Sequence, residues 1–146
     1  MIRLALTALA SLLPVRRRIV GDDGTPYLTR YTILHLPFDR KIYLHRFHRS
    51  DADSELHNHP WGRSYSLILI GGYREERLAP DREIEVREYR AGSVNVVDHD
   101  TFHRVDLTHG ECWSLFLAGE QRQSWGFWNR HTDEFVDSRV TAARRT

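Results

Sequence analysis

A chain of 146 residues, 40% hydrophobic and 28% charged, is long and apolar enough for one domain with a real core. Its net charge of +1 with neutral histidines excludes a global field that would draw in nucleic acid or membrane lipid. Cys112 is the single cysteine, so no intrachain disulfide can form, and cytoplasm is the expected compartment.

In chain order, the first apolar run is Ile2 to Leu13. It is too short to span a bilayer as a helix. The basic cluster Arg16-Arg17-Arg18 follows it, whereas a secretory signal carries its charge in front. The spacing of Ile2, Leu6, Leu9 and Leu13 predicts one apolar stripe of a docked helix, stopped by Pro14. Helix and basic segment make up residues 1–18, followed by a β-barrel over 19–138 and a polar, basic tail over 139–146 that is expected to fray.

Beyond residue 20 the pattern is that of strands. Gly21-Asp22-Asp23-Gly24 reads as a turn, Tyr27 to Leu36 as a strand ended by Pro37, and Ile42 to Phe47 as a strand with two usable faces. Ser50-Asp51-Ala52-Asp53-Ser54 reads as a polar loop. Strands are then predicted over Tyr65 to Ile70, Tyr73 to Arg77, Ile84 to Tyr89, Ser93 to Val97, His103 to Leu107 and Trp113 to Leu117. Trp125, Phe127 and Trp128 mark one more. Short strands at spacings of about 8–12 residues, without alternating helices, predict an all-β sandwich or barrel. A jelly roll with a short N-terminal helix fits best.

The chemistry concentrates in Leu56-His57-Asn58-His59-Pro60-Trp61-Gly62. In an extended strand alternate residues share a face, so His57 and His59 stand about 7 Å apart on one side. Two imidazoles so placed can turn onto a single transition metal. Pro60 then ends regular pairing, as expected at a strand end or rim. Alone, this pair also describes a polar loop whose histidines face water. Asp98-His99-Asp100-Thr101-Phe102-His103 supplies a third candidate ligand in His103.

His57-x-His59, a glycine at 71 or 72 closing the next strand, Gly92, and His103 after a turn together resemble the two cupin motifs, over roughly residues 40 to 120. Asp98 and Asp100 stand where the second motif often has proline and glycine. The stretches around Tyr27, Leu44 to Ser50, His57 to Trp61, Gly71 to Arg74 and Ser124 to Phe127 also resemble small uncharacterised bacterial and phage cupins, a likeness that brings no activity with it. The resemblance implies a double-stranded β-helix with His57, His59 and His103 as ligands of one divalent transition metal near the barrel mouth. Iron is the first choice, with zinc, nickel or copper as alternatives. The chain also departs from the pattern: where cupins commonly add a glutamate, it has Arg63 and Ser64. The site is then a three-histidine one, as in some thiol dioxygenase-like cupins, with open positions for substrate and oxygen or water, or it has lost its metal. Glu55, Asp98 and Asp100 are candidates for the missing carboxylate, with orientation of a ring N–H as the simpler role for each.

Arg63 reads either as a fork gripping an anionic substrate near the metal or as a rim cation in an ordinary surface pair. Trp61, directly after the histidine pair, is a candidate cofactor- or ligand-contacting residue at the pocket lip; Trp113, Trp125 and Trp128 read as core. His99 is expected in an exposed turn, and His35, His45, His48, His109 and His131 in surface or structural roles. Cys112 reads as an inert buried thiol. Three functions fit. The first is a mononuclear metal-dependent oxygenase acting on a small polar or anionic molecule, with Arg63 and Tyr65 as candidate catalytic residues. The second is a cupin that binds a small ligand without turnover. The third is a metal-free sugar-nucleotide isomerase or epimerase with His59 or His103 as base and Tyr65 as acid. A small molecule is the expected partner, with neither nucleic acid nor membrane, and a homodimer is left open.

Overall fold

A computed structural model describes residues 1–20, 24–51, 55–129 and 131–138. The turn at 21–23, the centre of the loop at 52–54 and the tail at 139–146 lie outside the described residues. A helix, α1 (Ile2–Leu12), leads into strands β1 (Val15–Val20), β2 (Pro26–His35), β3 (Lys41–Phe47), β4 (Leu56–His57), β5 (Ser64–Ile70) and β6 (Gly72–Leu78). Then come β7 (Ile84–Arg90), β8 (Val94–Val97), β9 (His103–Leu107), β10 (Cys112–Ala118), β11 (Gly126–Asn129) and β12 (Glu134–Asp137). They form two six-stranded sheets, ordered β1-β2-β3-β10-β5-β8 and β12-β11-β4-β9-β6-β7. The described pairings within the sheets are antiparallel, as in a jelly roll.

The strands at the middle of the first sheet are covered on both faces. Consecutive residues Tyr43, Leu44 and His45 of β3 and Cys112, Trp113 and Ser114 of β10 are all buried. Between the sheets, Tyr43, Val97 and Phe116 form one apolar cluster, and Ile68, Tyr73, Val105 and Cys112 another. On the outer face, Leu44 and Trp113 are roofed by α1 through Leu6, Ala10 and Leu13. Covering a leucine in this way stabilises by roughly 1.5–3 kcal/mol.

The docked face keeps half of the expected stripe, Leu6 on α1 and Leu13 just past its end. Ile2 and Leu9 are 61% and 44% exposed, and the contact runs through Leu6, Ala10 and Leu13. Ala10, buried in one cluster with Leu44 and Trp113, takes the central place in the contact. The helix ends where expected: Leu13 is extended, as the residue before a proline must be.

Two strands were not legible beforehand. β1 incorporates the basic segment and pairs with β2, so the boundary after Arg18 falls inside a strand. β12 pairs only with β11 among the described strands. Both are edge strands, where charged side chains are tolerated and the apolar alternation that reveals inner strands is weak. At the β5–β6 junction, Gly71 has φ +72°, and a Cβ there would lie 2.4 Å from the Glu111 carbonyl oxygen, so this turn needs glycine on two counts. No described helix is long and apolar enough to cross a membrane.

Candidate metal centre

The centre is assembled from two neighbouring short strands at the middle of the second sheet. His57 on β4 pairs in register with His103 on β9. His59 follows two residues after His57, and Asn58 between them faces the other way into a buried position. The Asn58 side chain accepts the Gly126 N–H at 2.8 Å and donates to the His99 carbonyl at 3.1 Å, which ties the histidine segment to both neighbouring stretches. The three imidazole rings then converge, with centroids 5.2 Å apart for His57–His59 and 5.0 Å for each of the other two pairs. One nitrogen from each can be chosen so that all three lie within 4.8 Å of one another.

Tautomers follow from the partners. The His103 Nδ1 lies 2.5 Å from Glu75 Oε1, so Nδ1–H donates to the carboxylate and Nε2 keeps its lone pair. That Nε2 is 2.8 Å from His59 Nε2. Two nitrogens bound to one ion at metal–nitrogen distances of about 2.0–2.1 Å stand about 3 Å apart. The donor set therefore fits a transition metal. Burial, with His103 alongside, pushes His57 down to about 4, and burial together with His103, His57, Arg30 and His45 pushes His59 well below its ordinary value. Both rings are thus neutral ligands near neutral pH.

Glu75 is the residue that sequence reasoning missed. It is fully buried. Besides His103, its carboxylate accepts from Asn95 Nδ2 at 2.8 Å and from Arg77 Nε at 3.1 Å, and Asn95 also reaches the Tyr73 hydroxyl at 3.0 Å. Burial by itself would raise this carboxyl, but hydrogen bonds and charges from His103, Arg77 and Asn95 hold it down at about 2. A signal was available. Alternation along β6 from the inward Tyr73 places Glu75 and Arg77 on the same face.

The anticipated carboxylates sit elsewhere. Asp98 pairs with His99 Nδ1 at 2.7 Å and with Arg63 at 3.5 Å, Asp100 is exposed, and Glu55 does not line the cavity beside the triad. Arg63 is 68% exposed and also lies outside that cavity. As a rim cation, Arg63→Leu is expected to leave both metal content and small-ligand affinity unchanged, read by metal analysis and calorimetry. Tyr65 requires a correction: it is 41% exposed on the outer face of β5, while its neighbours Ser64 and Ser66 point inward. Strand alternation sends the phenol away from His59 and His103, and the isomerase reading loses its acid.

The cavity holds about 270 Å³ and is lined mainly by apolar and aromatic side chains. Trp61 belongs to it, stacked on His59 at 5.8 Å with 17° between the rings and packed on Phe116. His45, assigned no special role by its spacing, lines it as well. Its ring is buried, stacked at 4.7 Å on Phe116, and accepts a hydrogen bond from Arg30 Nε at 3.0 Å through Nε2. Burial, and then the Arg30 cation, push its pKa well below the ordinary value.

The His45 shift has a testable sign. Arg30 faces the ring from β2, Tyr43 and Phe47 from its own strand, and Phe116 from β10. Below a pH of about 6.5 the unfolded chain protonates this histidine and the folded one does not, so stability falls as pH falls. In His45→Gln, whose side-chain oxygen still accepts from Arg30, the acid slope is expected to flatten by up to about 1.4 kcal/mol per pH unit. Urea unfolding at several pH values checks it.

No protein-family model matches the sequence. No curated protein matches it either. Solved structures do. An Fe(II) form of HppE with the alternative substrate (S)-1-HPP is 12% identical at a TM-score of 0.59, over 75% of this chain and 57% of that one. The chain thus spans little more than half the length of that protein. Recombinant oxalate oxidase in complex with glycolate is 16% identical at a TM-score of 0.54, over 88% of this chain and 71% of that one. An uncharacterized conserved protein with a double-stranded beta-helix domain from Klebsiella pneumoniae is 13% identical at 0.53, over 75% and 90%. These likenesses show the fold.

Proposed function

Starting from the cupin double-stranded β-helix that this chain adopts, we propose that it is a mononuclear metal-dependent oxygenase acting on a small polar or anionic molecule. One observation carries the reading: three buried or half-buried imidazoles from two separate segments converge on one point beside an aromatic-lined cavity. His57, His59 and His103 would hold the ion, and iron is the first choice. The fold is shared with an Fe(II)-loaded HppE and an oxalate oxidase, which supports a redox-active metal. When bound, a divalent metal with three protein ligands supplies a Lewis-acidic centre with open positions for substrate and oxygen or water.

The chain's own residues do the rest. Glu75 holds the His103 ring in the tautomer that presents Nε2 to the site. Asn58 fixes the backbone between the other two ligands. Trp61, Phe116 and Phe127 line the cavity with apolar surface that limits water. A second reading, ligand binding without turnover, draws on the cluster of His57, His59 and His103 holding no carboxylate among the described residues.

The test is metal content of untagged protein expressed with iron, nickel, copper and zinc available, followed by oxygen uptake with iron and candidate acids. Iron-dependent oxygen uptake is expected. Stoichiometric metal without oxygen uptake for any acid that binds would select the binding reading.

A further inference from the structure

Several polar side chains that line the cavity are engaged within the protein. Asn58 accepts the Gly126 N–H and donates to the His99 carbonyl, Asn95 donates to Glu75 and the Tyr73 hydroxyl, and Asp51 accepts from Tyr27. His45 is engaged on one side only. Arg30 and His45 pair in register on β2 and β3, and Arg30 Nε donates to His45 Nε2 at 3.0 Å. A guanidinium nitrogen can only donate, so Nε2 must offer a lone pair and the neutral ring carries its proton on Nδ1. Arg30 thereby fixes the tautomer of a ring in the cavity wall.

Among the described residues no hydrogen bond engages His45 Nδ1, and Nδ1 is not one of the sealed polar atoms that lack a partner. A nitrogen of a buried ring that is neither bonded nor sealed opens on the space the ring lines, which here is the cavity. Phe116 stacks on this ring at 4.7 Å and Tyr43 at 5.9 Å, with 17° and 16° between the planes, which holds the donor in place. From His45 the wall continues through Phe116 and Trp61 to His59, with successive ring centroids 4.7, 5.6 and 5.8 Å apart. The flat body of a ligand can lie along the two middle rings. A space of about 270 Å³ suits one ring with short substituents, since an apolar cavity of about 150 Å³ takes benzene.

We propose that His45, its tautomer set by Arg30, is the specificity-determining donor of this cavity, and that the ligand is a one-ring aromatic carbonyl compound whose oxygen accepts from His45 Nδ1–H. Apolar walls with a few fixed polar groups are the usual make-up of a small-molecule site, the walls giving affinity and the donor giving orientation. A ligand without the acceptor would leave a buried N–H unpaired, which is how such a site rejects it. This inference names the substrate class of the proposed oxygenase. It rests on that reading only for the ligand's being a substrate, because the donor is in place without metal.

The test titrates acetophenone and α-methylstyrene, in which a methylene replaces the carbonyl oxygen, into metal-free and nickel-loaded protein, with binding followed by ligand-observed NMR. Acetophenone should bind the metal-free protein about five- to tenfold tighter. His45→Gln keeps an acceptor near the place of Nε2 but has no donor at Nδ1, so the preference should vanish. His45→Asn puts an amide N–H near the place of Nδ1 and should retain part of it. Nitrogen-15 spectra of histidine-labelled wild type should show His45 as the Nδ1–H tautomer, with that proton shifting when acetophenone is added. Equal affinities in wild type, no binding of acetophenone, an undiminished preference in His45→Gln, or an Nε2–H tautomer at His45 would overturn the proposal. The wild-type pair and the tautomer decide even if a variant fails to fold. If no metal binds but the preference is found, the metal reading fails and this one stands. If nickel binds and the preference is absent, only this one falls.

Discussion

His57→Ala, His59→Ala and His103→Ala are each expected to abolish stoichiometric binding of a divalent transition metal, whereas His109→Ala and His131→Ala leave it intact. The rings of the first three lie 5.0–5.2 Å apart, and two of their nitrogens stand at 2.8 Å, a spacing suited to a shared ion. His109 and His131 are exposed and outside the cluster. Removing one of three protein ligands costs more than loss of an orienting partner, which itself costs about 10–100-fold in affinity. Metal analysis of each purified variant gives the answer, and His103→Ala binding as tightly as wild type would show that the cluster is not a metal site. The variants are expected to stay folded, because the inter-sheet clusters and the helix-capped face supply the apolar burial a chain of this length needs.

Glu75→Gln is the second large effect. The substitution keeps shape and an acceptor for His103 but removes the buried negative charge facing Arg77, whose side chain is only 13% exposed. Breaking one partner from a buried ion pair costs roughly 3–5 kcal/mol, because the other charge is left uncompensated. Metal affinity should fall about 10–100-fold as the pull on the His103 N–H weakens. Urea unfolding of metal-free protein reads the first effect and chelator competition the second. Glu75→Gln combined with Arg77→Met should recover much of the stability, since no orphan charge remains, without recovering metal affinity. Unchanged affinity in the single variant would mean that Glu75 serves the fold alone.

Much of the fold was legible because its inner strands carry strong local patterns. The alternation in Ser64-Tyr65-Ser66-Leu67-Ile68 and the apolar run around Trp113 identify β5 and β10 within a residue or two of their ends. Edge strands β1 and β12 lack that contrast, since solvent on an edge accepts arginine and glutamate. The helix was legible as an element and its docked face only in part, since Leu6 and Leu13 dock as expected while Ile2 and Leu9 do not. Leu6, Ala10 and Leu13 against Ile2 and Leu9 is a choice made by the shape of Trp113 and Leu44 beneath it.

For the site, local spacing determines that His57 and His59 share a side, and the second histidine segment marks His103 as their partner. These are statements about one strand at a time, where the period of two acts. Facing directions across the cavity belong to the tertiary structure. One residue of phase on β5 turns Tyr65 out to solvent, while β6 carries Glu75 inward to His103 from a stretch that reads as surface charge. Arg30 and His45 lie fifteen residues apart on paired strands and meet only because β2 and β3 pair in the register that sets them opposite each other. The sequence by itself determined the sheet content and the histidine triad. Sheet packing decided the carboxylate that orients the triad and the arginine that faces the cavity, because a buried charge is set by its partners across the sheets and not by its neighbours along the chain.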